Sequence, residues 1–252
     1  MRKSVLRSVA VSFAILMLVQ AAVVFAQGQQ EGPKNLKVLP KDISRRDLTN
    51  IMRGFENATG MDCEDCHAAS KVPGDRPGRL DFASDDKPEK ETARKMMKMV
   101  ASINDQVGQM GIKDAAKVEC VTCHHGVAEP MSISAVLLKS AEKGGAAAAI
   151  ADYRKLREKY YGSAAYDFTD RGLNEAASQL AEAKQDFDGA MQLFKLNLEF
   201  YPNSIGTYVR MSQAQMAKGD KAAAIASMEK ALSLDPQNGR LKAQLDRMKS
   251  GQ

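Results

Sequence analysis

Apolar side chains in "KDISRRDLTNIMRGFENATG" (residues 41–60) recur at Leu48, Ile51, Met52 and Phe55. That i, i+3, i+4, i+7 spacing is one face of an amphipathic helix. Asp42 or Ser44 can cap its start, and Gly60 can end it. A second helix is expected in "KPEKETARKMMKMVASIND", with Pro88 near its first turn and acidic residues early. Its apolar positions, Ala93, Met96, Met97, Met99, Val100 and Ile103, centre on Met96. Between the two, "KVPGDRPGRLDFASDDKPEK" holds three prolines and two glycines and reads as a polar loop.

Beyond about Met131 the helical pattern is almost continuous. "FDGAMQLFKLNLEFYP" and "KAAAIASMEKALSLDP" close on Pro202 and Pro236, 34 residues apart. At the same offset Ala190 matches Ala224, Phe194 matches Met228 and Leu198 matches Leu232. That period, with small residues at the helix crossing and a closing proline, is the signature of tetratricopeptide repeats. Partner helices are expected at about 171–184 and 205–217, a helix within 145–162 helps to complete the stack, and "NGRLKAQLDRMKS" reads as a terminal cap. The fold class expected is all-α: a small domain of helices and loops followed by repeated helical hairpins.

The amino terminus is different. A basic start leads into an apolar run from Val9 to Ala26 broken only by Ser12 and Gln20, with Val24-Phe25-Ala26 before a polar stretch. This reads as a secretory signal peptide over 1–26, with an uncleaved anchor at 9–26 as the competitor. The remaining divisions expected are a cysteine-bearing domain at 27–130, a linker at 131–144 and a repeat domain at 145–252. Arg2, Lys3 and Arg7 supply three of the five net positive charges, so the rest of the chain carries too little to argue for nucleic acid. The expected location is periplasmic, with membrane contact only through the amino-terminal segment if it is retained.

The candidate chemistry lies in "MDCEDCH" and "CVTCHHG". Four cysteines in an exported chain could form two disulfides. That accounts for an even count, but not for His67 and His124 directly after each pair. In Cys-x-x-Cys-His, two thiols can add to the vinyl groups on one edge of a haem while the next imidazole reaches the iron. Zinc needs a closed tetrahedron that adjacent Cys and His do not give, and no strand precedes Cys63 as a thioredoxin-like dithiol would require. Two such motifs use all four cysteines, Cys63, Cys66, Cys120 and Cys123, and two of the three histidines. They predict two covalently bound haems c. For the second axial position His125 stands too close to His124, so methionine is the leading supply: Met52 on the first helix, and Met96, Met97 or Met99 on the second, of which Met96 is best placed. A methionine on an apolar stripe is also ordinary core filler.

The segments "NLKVLPKDISRRDLTNIMRGFENATGMDCEDCH" and "ARKMMKMVASIN…VECVTCHHG…P" closely resemble the cytochrome c subunit of photosynthetic reaction centres. They resemble still more a group of smaller exported dihaem cytochromes. The resemblance covers about residues 35–130. It implies that Met52 is the sixth ligand for the haem held by Cys63, Cys66 and His67, and Met96 for that held by Cys120, Cys123 and His124. It further implies an electron carrier rather than an enzyme, exchanging electrons with redox partner proteins in the periplasm or at the membrane surface. The photosynthetic subunit has four such motifs and lacks a repeat tail, and its usual Cys-His-Arg-Gly stands here as Cys-His-His-Gly. Photosynthesis is therefore not implied, and His125 reads as a surface or propionate-contacting residue. The repeats would dock a partner. The alternatives are a dihaem peroxidase, which would need an iron with an open site, and an assembly or sensor module whose repeats carry the function.

Overall fold

The computed structural model describes residues 32–250, so the export segment expected at 1–26 lies outside the described residues. The elements run α1 (Arg45–Thr59), α2 (Cys63–Cys66), β1 (Ala68–Ala69), β2 (Leu80–Asp81), α3 (Pro88–Gln109), α4 (Cys120–His124), α5 (Ile133–Tyr160), α6 (Asp170–Glu182), α7 (Phe187–Phe200), α8 (Ile205–Lys218), α9 (Lys221–Leu234) and α10 (Gly239–Ser250). The fold is mostly helical, as the periodicity predicts. The polar loop adds a detail: β1 and β2 pair antiparallel, Ala68 opposite Asp81 and Ala69 opposite Leu80.

The chain forms two compact units. Among the described residues, one joins those up to Arg53 with Asp62–Ile112; the other joins Gly54–Met61 with those from Lys113 on. The second Cys-x-x-Cys-His motif thus groups with the helical repeats.

In the first unit α1 begins at Ser44, whose Oγ accepts the Asp47 N–H at 3.0 Å and so satisfies one of the orphan donors of the first turn. Gly60 ends the helix at φ 68°, the left-handed conformation that glycine adopts without penalty. Pro88 starts α3 where no N–H is needed. A charged staple holds the loop to α3. Arg94, 6% exposed, donates to Asp85 at 2.8 Å, to Glu91 at 3.0 Å and to the Asn35 carbonyl at 3.3 Å. Lys37 and Lys90 reach the same Asp85 carboxylate at 2.7 and 3.3 Å. A buried guanidinium is tolerable only with its donors satisfied, and this one is.

In the second unit the stretch read as a linker, 131–144, is corrected: α5 starts at Ile133, capped by Ser132. Gly144 and Gly145 leave helical geometry, the latter at φ 68°, ψ −170°. Ser140 Oγ donates to Asp152 at 2.5 Å. Twelve residues along a straight helix span about 18 Å, so the chain folds back there and α5 is an antiparallel hairpin. With α6–α7 and α8–α9 it makes three hairpins, and α10 closes the row. The physical reason is burial: Ile133 and Leu137, 2% and 0% exposed, are core side chains, which a connector does not supply.

The 34-residue period is visible in the packing. Ala190 and Ala224 are fully buried, as are Phe194 and Met228. Asp186 and Asp220 cap α7 and α9 by accepting the N–H groups of Gly189 and Ala223 at 2.9 and 3.0 Å. Where helices cross most closely no side chain fits: a Cβ at Gly172 would collide with Ile133.

Candidate functional site

Each Cys-x-x-Cys pair forms one turn of helix, and in such a turn residues i and i+3 share a face. Around α2, Asp62 N–H donates to the Asp65 carboxylate at 2.7 Å and His67 N–H to the Cys63 carbonyl at 2.9 Å. The backbone then turns extended at His67, φ −116°, ψ 132°, and enters β1. Around α4, Glu119 N–H donates to Thr122 Oγ1 at 3.0 Å. His125 ends that turn in the left-handed region, φ 49°, and is exposed. Local capping, available from the Asp62–Asp65 and Glu119–Thr122 pairs, therefore shapes both turns.

None of the four cysteines is in a disulfide. The disulfide expectation is set aside on that count. Burial pushes the Cys66 thiol up, and the Asp65 and Glu89 charges add to the rise. A thiol raised in this way is a poor thiolate, which counts against a redox dithiol at the first motif. Among the described residues no group of three or more His, Cys, Asp or Glu is arranged to hold a metal ion.

The two histidines differ in what touches Nδ1. His124 Nδ1 lies 2.9 Å from the Val127 carbonyl. Since a carbonyl can only accept, the proton sits on Nδ1 and the lone pair on Nε2, the tautomer that a metal needs. His67 Nδ1 is buried without a hydrogen-bond partner, and the His67 ring meets the Phe82 ring edge-on, centroids 4.9 Å apart. Burial lowers the His67 pKa, with Lys90 acting in the same direction and Asp81 opposing. A neutral imidazole is thereby favoured at the first motif.

The second motif is also fixed to the end of α1. Gly126 N–H donates to the Ala58 carbonyl at 2.8 Å, and Ala58 is almost fully buried. Gly126 stands at φ 89°, which explains a glycine directly after the two histidines.

Met52 is half-buried on α1 and belongs to the first unit, with Cys63, Cys66 and His67. Met96 is half-buried on α3, also in the first unit, while Cys120, Cys123 and His124 belong to the second. Leu48, Ile51 and Phe55 on α1, and Val100 and Ile103 on α3, are likewise only half covered by protein. Paired cysteines outside any disulfide, an imidazole directly after each pair, half-covered apolar stripes and available thioethers together fit a covalently held haem in donor chemistry.

Sequence reasoning missed Val127, Phe82 and the Arg94–Asp85 pair. Val127 acts through its carbonyl and Phe82 through a tertiary contact, so neither leaves a motif. Arg94 did leave a signal: a charged residue beside the apolar stripe of α3.

Comparison with curated proteins gives no match. A solved structure, the first TPR of Spaghetti (RPAP3) bound to HSP90 peptide SRMEEVD, aligns with a TM-score of 0.32 at 20% identity, covering 47% of this chain and 89% of that one. The profile of the tetratricopeptide repeat matches residues 205–238, which are α8, α9 and the turn that follows. The profile of the photosynthetic reaction centre cytochrome C subunit matches residues 17–179, through both cysteine motifs and on into α6. That match spans well over half of the sequence, and the chain belongs to the family of the photosynthetic reaction centre cytochrome C subunit.

Proposed function

We propose that this member of a haem-binding electron-transfer family is an exported, periplasmic cytochrome with two covalent haems c. Cys63 and Cys66 tether one and Cys120 and Cys123 the other. His67 and His124 supply the proximal nitrogens, and Met52 and Met96 the distal sulfurs. The assignment of the methionines rests on the resemblance of the helix segments around them. The reading is carried by one observation: four cysteines, none of them in a disulfide, stand in two capped turns, each followed at once by an imidazole.

Bound haem supplies one-electron exchange between ferric and ferrous iron. The residues do the rest. Cys63 and Cys66, and Cys120 and Cys123, each on a single helical turn, would hold the haem by thioethers, and His124, held by the Val127 carbonyl, keeps Nε2 directed away from its own hydrogen bond. Held by a histidine and a methionine, each haem would be closed to substrate and would only exchange electrons with other proteins. That favours a carrier over the peroxidase alternative. The half-covered apolar stripes on α1 and α3 would cover part of a bound haem and lower the dielectric around it. The three hairpins offer a surface for a protein partner.

Intact mass of the exported protein tests this reading directly. The expected result is the chain cleaved after Ala26 plus two haems, with a c-type visible spectrum. A colourless protein whose mass is that of its amino acids alone would end the proposal.

A further inference from the structure

We propose that the two haem sites are unequal, the His67 site being reduced at the higher potential and the His124 site at the lower. This rests on the dihaem reading above, and it follows from the atoms behind each imidazole. His124 Nδ1–H donates to the Val127 carbonyl at 2.9 Å. That bond draws the proton outward and enriches the ring, so Nε2 becomes a stronger donor and ferric iron is favoured. His67 has no such acceptor: its Nδ1 is buried and unpartnered. The neighbouring ring is Phe82, at 4.9 Å and 68°, whose edge offers no lone pair. Without that hydrogen bond the His67 ring donates less, and ferrous iron gains relative to the other site.

Nearby charges act on both sides of this balance. Lys90, whose Nζ donates to the Phe82 and Ser84 carbonyls at 3.0 and 2.6 Å, places a cation near His67 and favours the reduced state. Asp81 opposes it, but its carboxylate already accepts from the N–H groups of Ala83 and Ser84 at 2.9 and 3.1 Å. Glu64 and Asp65 stand between the first pair of cysteines where the second has Val121 and Thr122, and they too favour ferric iron at the first site. Both are solvent-exposed, so their fields are screened, whereas the Nδ1 hydrogen bond acts through the ligand itself. The ligand effect decides the order.

Spectroelectrochemical titration of the full holoprotein, with two haems verified by mass, should resolve two one-electron waves. Phe82→Gln brings an amide oxygen to the His67 side and should lower the upper wave alone, narrowing the separation. Phe82→Leu, which removes the ring without adding an acceptor, should not lower it. A single unresolved wave, a Phe82→Gln shift in the lower wave, or no shift in either overturns the inference. Should Phe82→Gln fail to hold both haems, a full-length Cys63→Ala/Cys66→Ala chain decides instead: its remaining haem should titrate at the lower wild-type potential, and the upper value would refute the order. A wild-type mass with fewer than two haems is a different failure, that of the dihaem reading.

Discussion

A Cβ placed on Gly60 would collide with the carbonyl oxygen of Gly126. The neighbouring Gly126 N–H donates to Ala58, so backbone meets backbone at the end of α1 with no side chain between. Gly60 lies three residues before Cys63, and Gly126 three after Cys123. The tightest backbone approach to the second motif therefore closes the helix that leads into the first.

Gly60→Ala should destabilise the chain by about 2 kcal/mol or more. The left-handed backbone accounts for about 1–2 kcal/mol, and the collision adds to it. Chemical denaturation of the full holoprotein measures this. Gly54→Ala is the control: nothing lies within 4 Å of a Cβ there, and it should be neutral or slightly stabilising in a helix.

The Arg94–Asp85 staple gives a pH prediction. Arg94, then Lys37, hold the Asp85 carboxyl well below the ordinary carboxylate range. A depressed carboxyl contributes stability that is whole above its unfolded-state pKa, about 3.9. That contribution is lost as pH falls from there towards the folded value. Asp85→Asn should lower the thermal midpoint at neutral pH and flatten its decline below about pH 4. Parallel wild-type and variant curves through the acid range would show that the pair does not stabilise the fold.

Much of this architecture was legible because its causes are local. The helical stripe of Leu48, Ile51, Met52 and Phe55, the Ser44 cap and the Gly60 stop each depend on residues within a few positions. The Ala190–Ala224 and Phe194–Met228 matches predicted repeat hairpins because a repeated packing problem leaves a repeated solution. What stayed hidden is tertiary. The fold-back at Gly144–Gly145 looks like a loop until Ser140 is seen to reach Asp152. The Val127 carbonyl has no residue-type signature, and the partners of Arg94, Asp85 and the Asn35 carbonyl, come from distant loop positions that no local pattern links to it.

The methionines are open to a direct spectroscopic test. Met52→Ala and Met96→Ala should each abolish the weak far-red sulfur-to-iron band of one haem and lower the potential of that haem alone, since methionine opposite histidine raises it. Met99→Ala, at an exposed position of α3, should change neither. Loss of both bands in one variant, or of none, would remove the assignment.

Among residues 32–130 only Ala58 and Val127 are buried hydrophobic side chains, too little apolar core to hold about a hundred residues by themselves. The full chain with all four cysteines changed to serine should therefore lose helix content from α1 and α3 while the repeats stay folded. Circular dichroism with hydrogen exchange reads the two regions separately. Native protection of α1 and α3 in that variant would mean that the protein scaffold stands without its prosthetic groups.

The corrected boundary at Ile133 can be tested with one side chain. Leu137 is fully buried in the core shared with Leu173, Leu193 and Phe194. If 131–144 were a linker, truncating Leu137 would cost almost nothing. As part of the first hairpin it should cost about 2–5 kcal/mol, the range for emptying a packed leucine site. The loss should appear in the unfolding of the repeats, because α5 packs on α6 and α7. Lys143→Ala, exposed beside the bend, should change stability by less than about 0.5 kcal/mol. A Leu137→Ala midpoint equal to that of Lys143→Ala would return the segment to a tether; a large gap between them makes α5 the first hairpin of the stack.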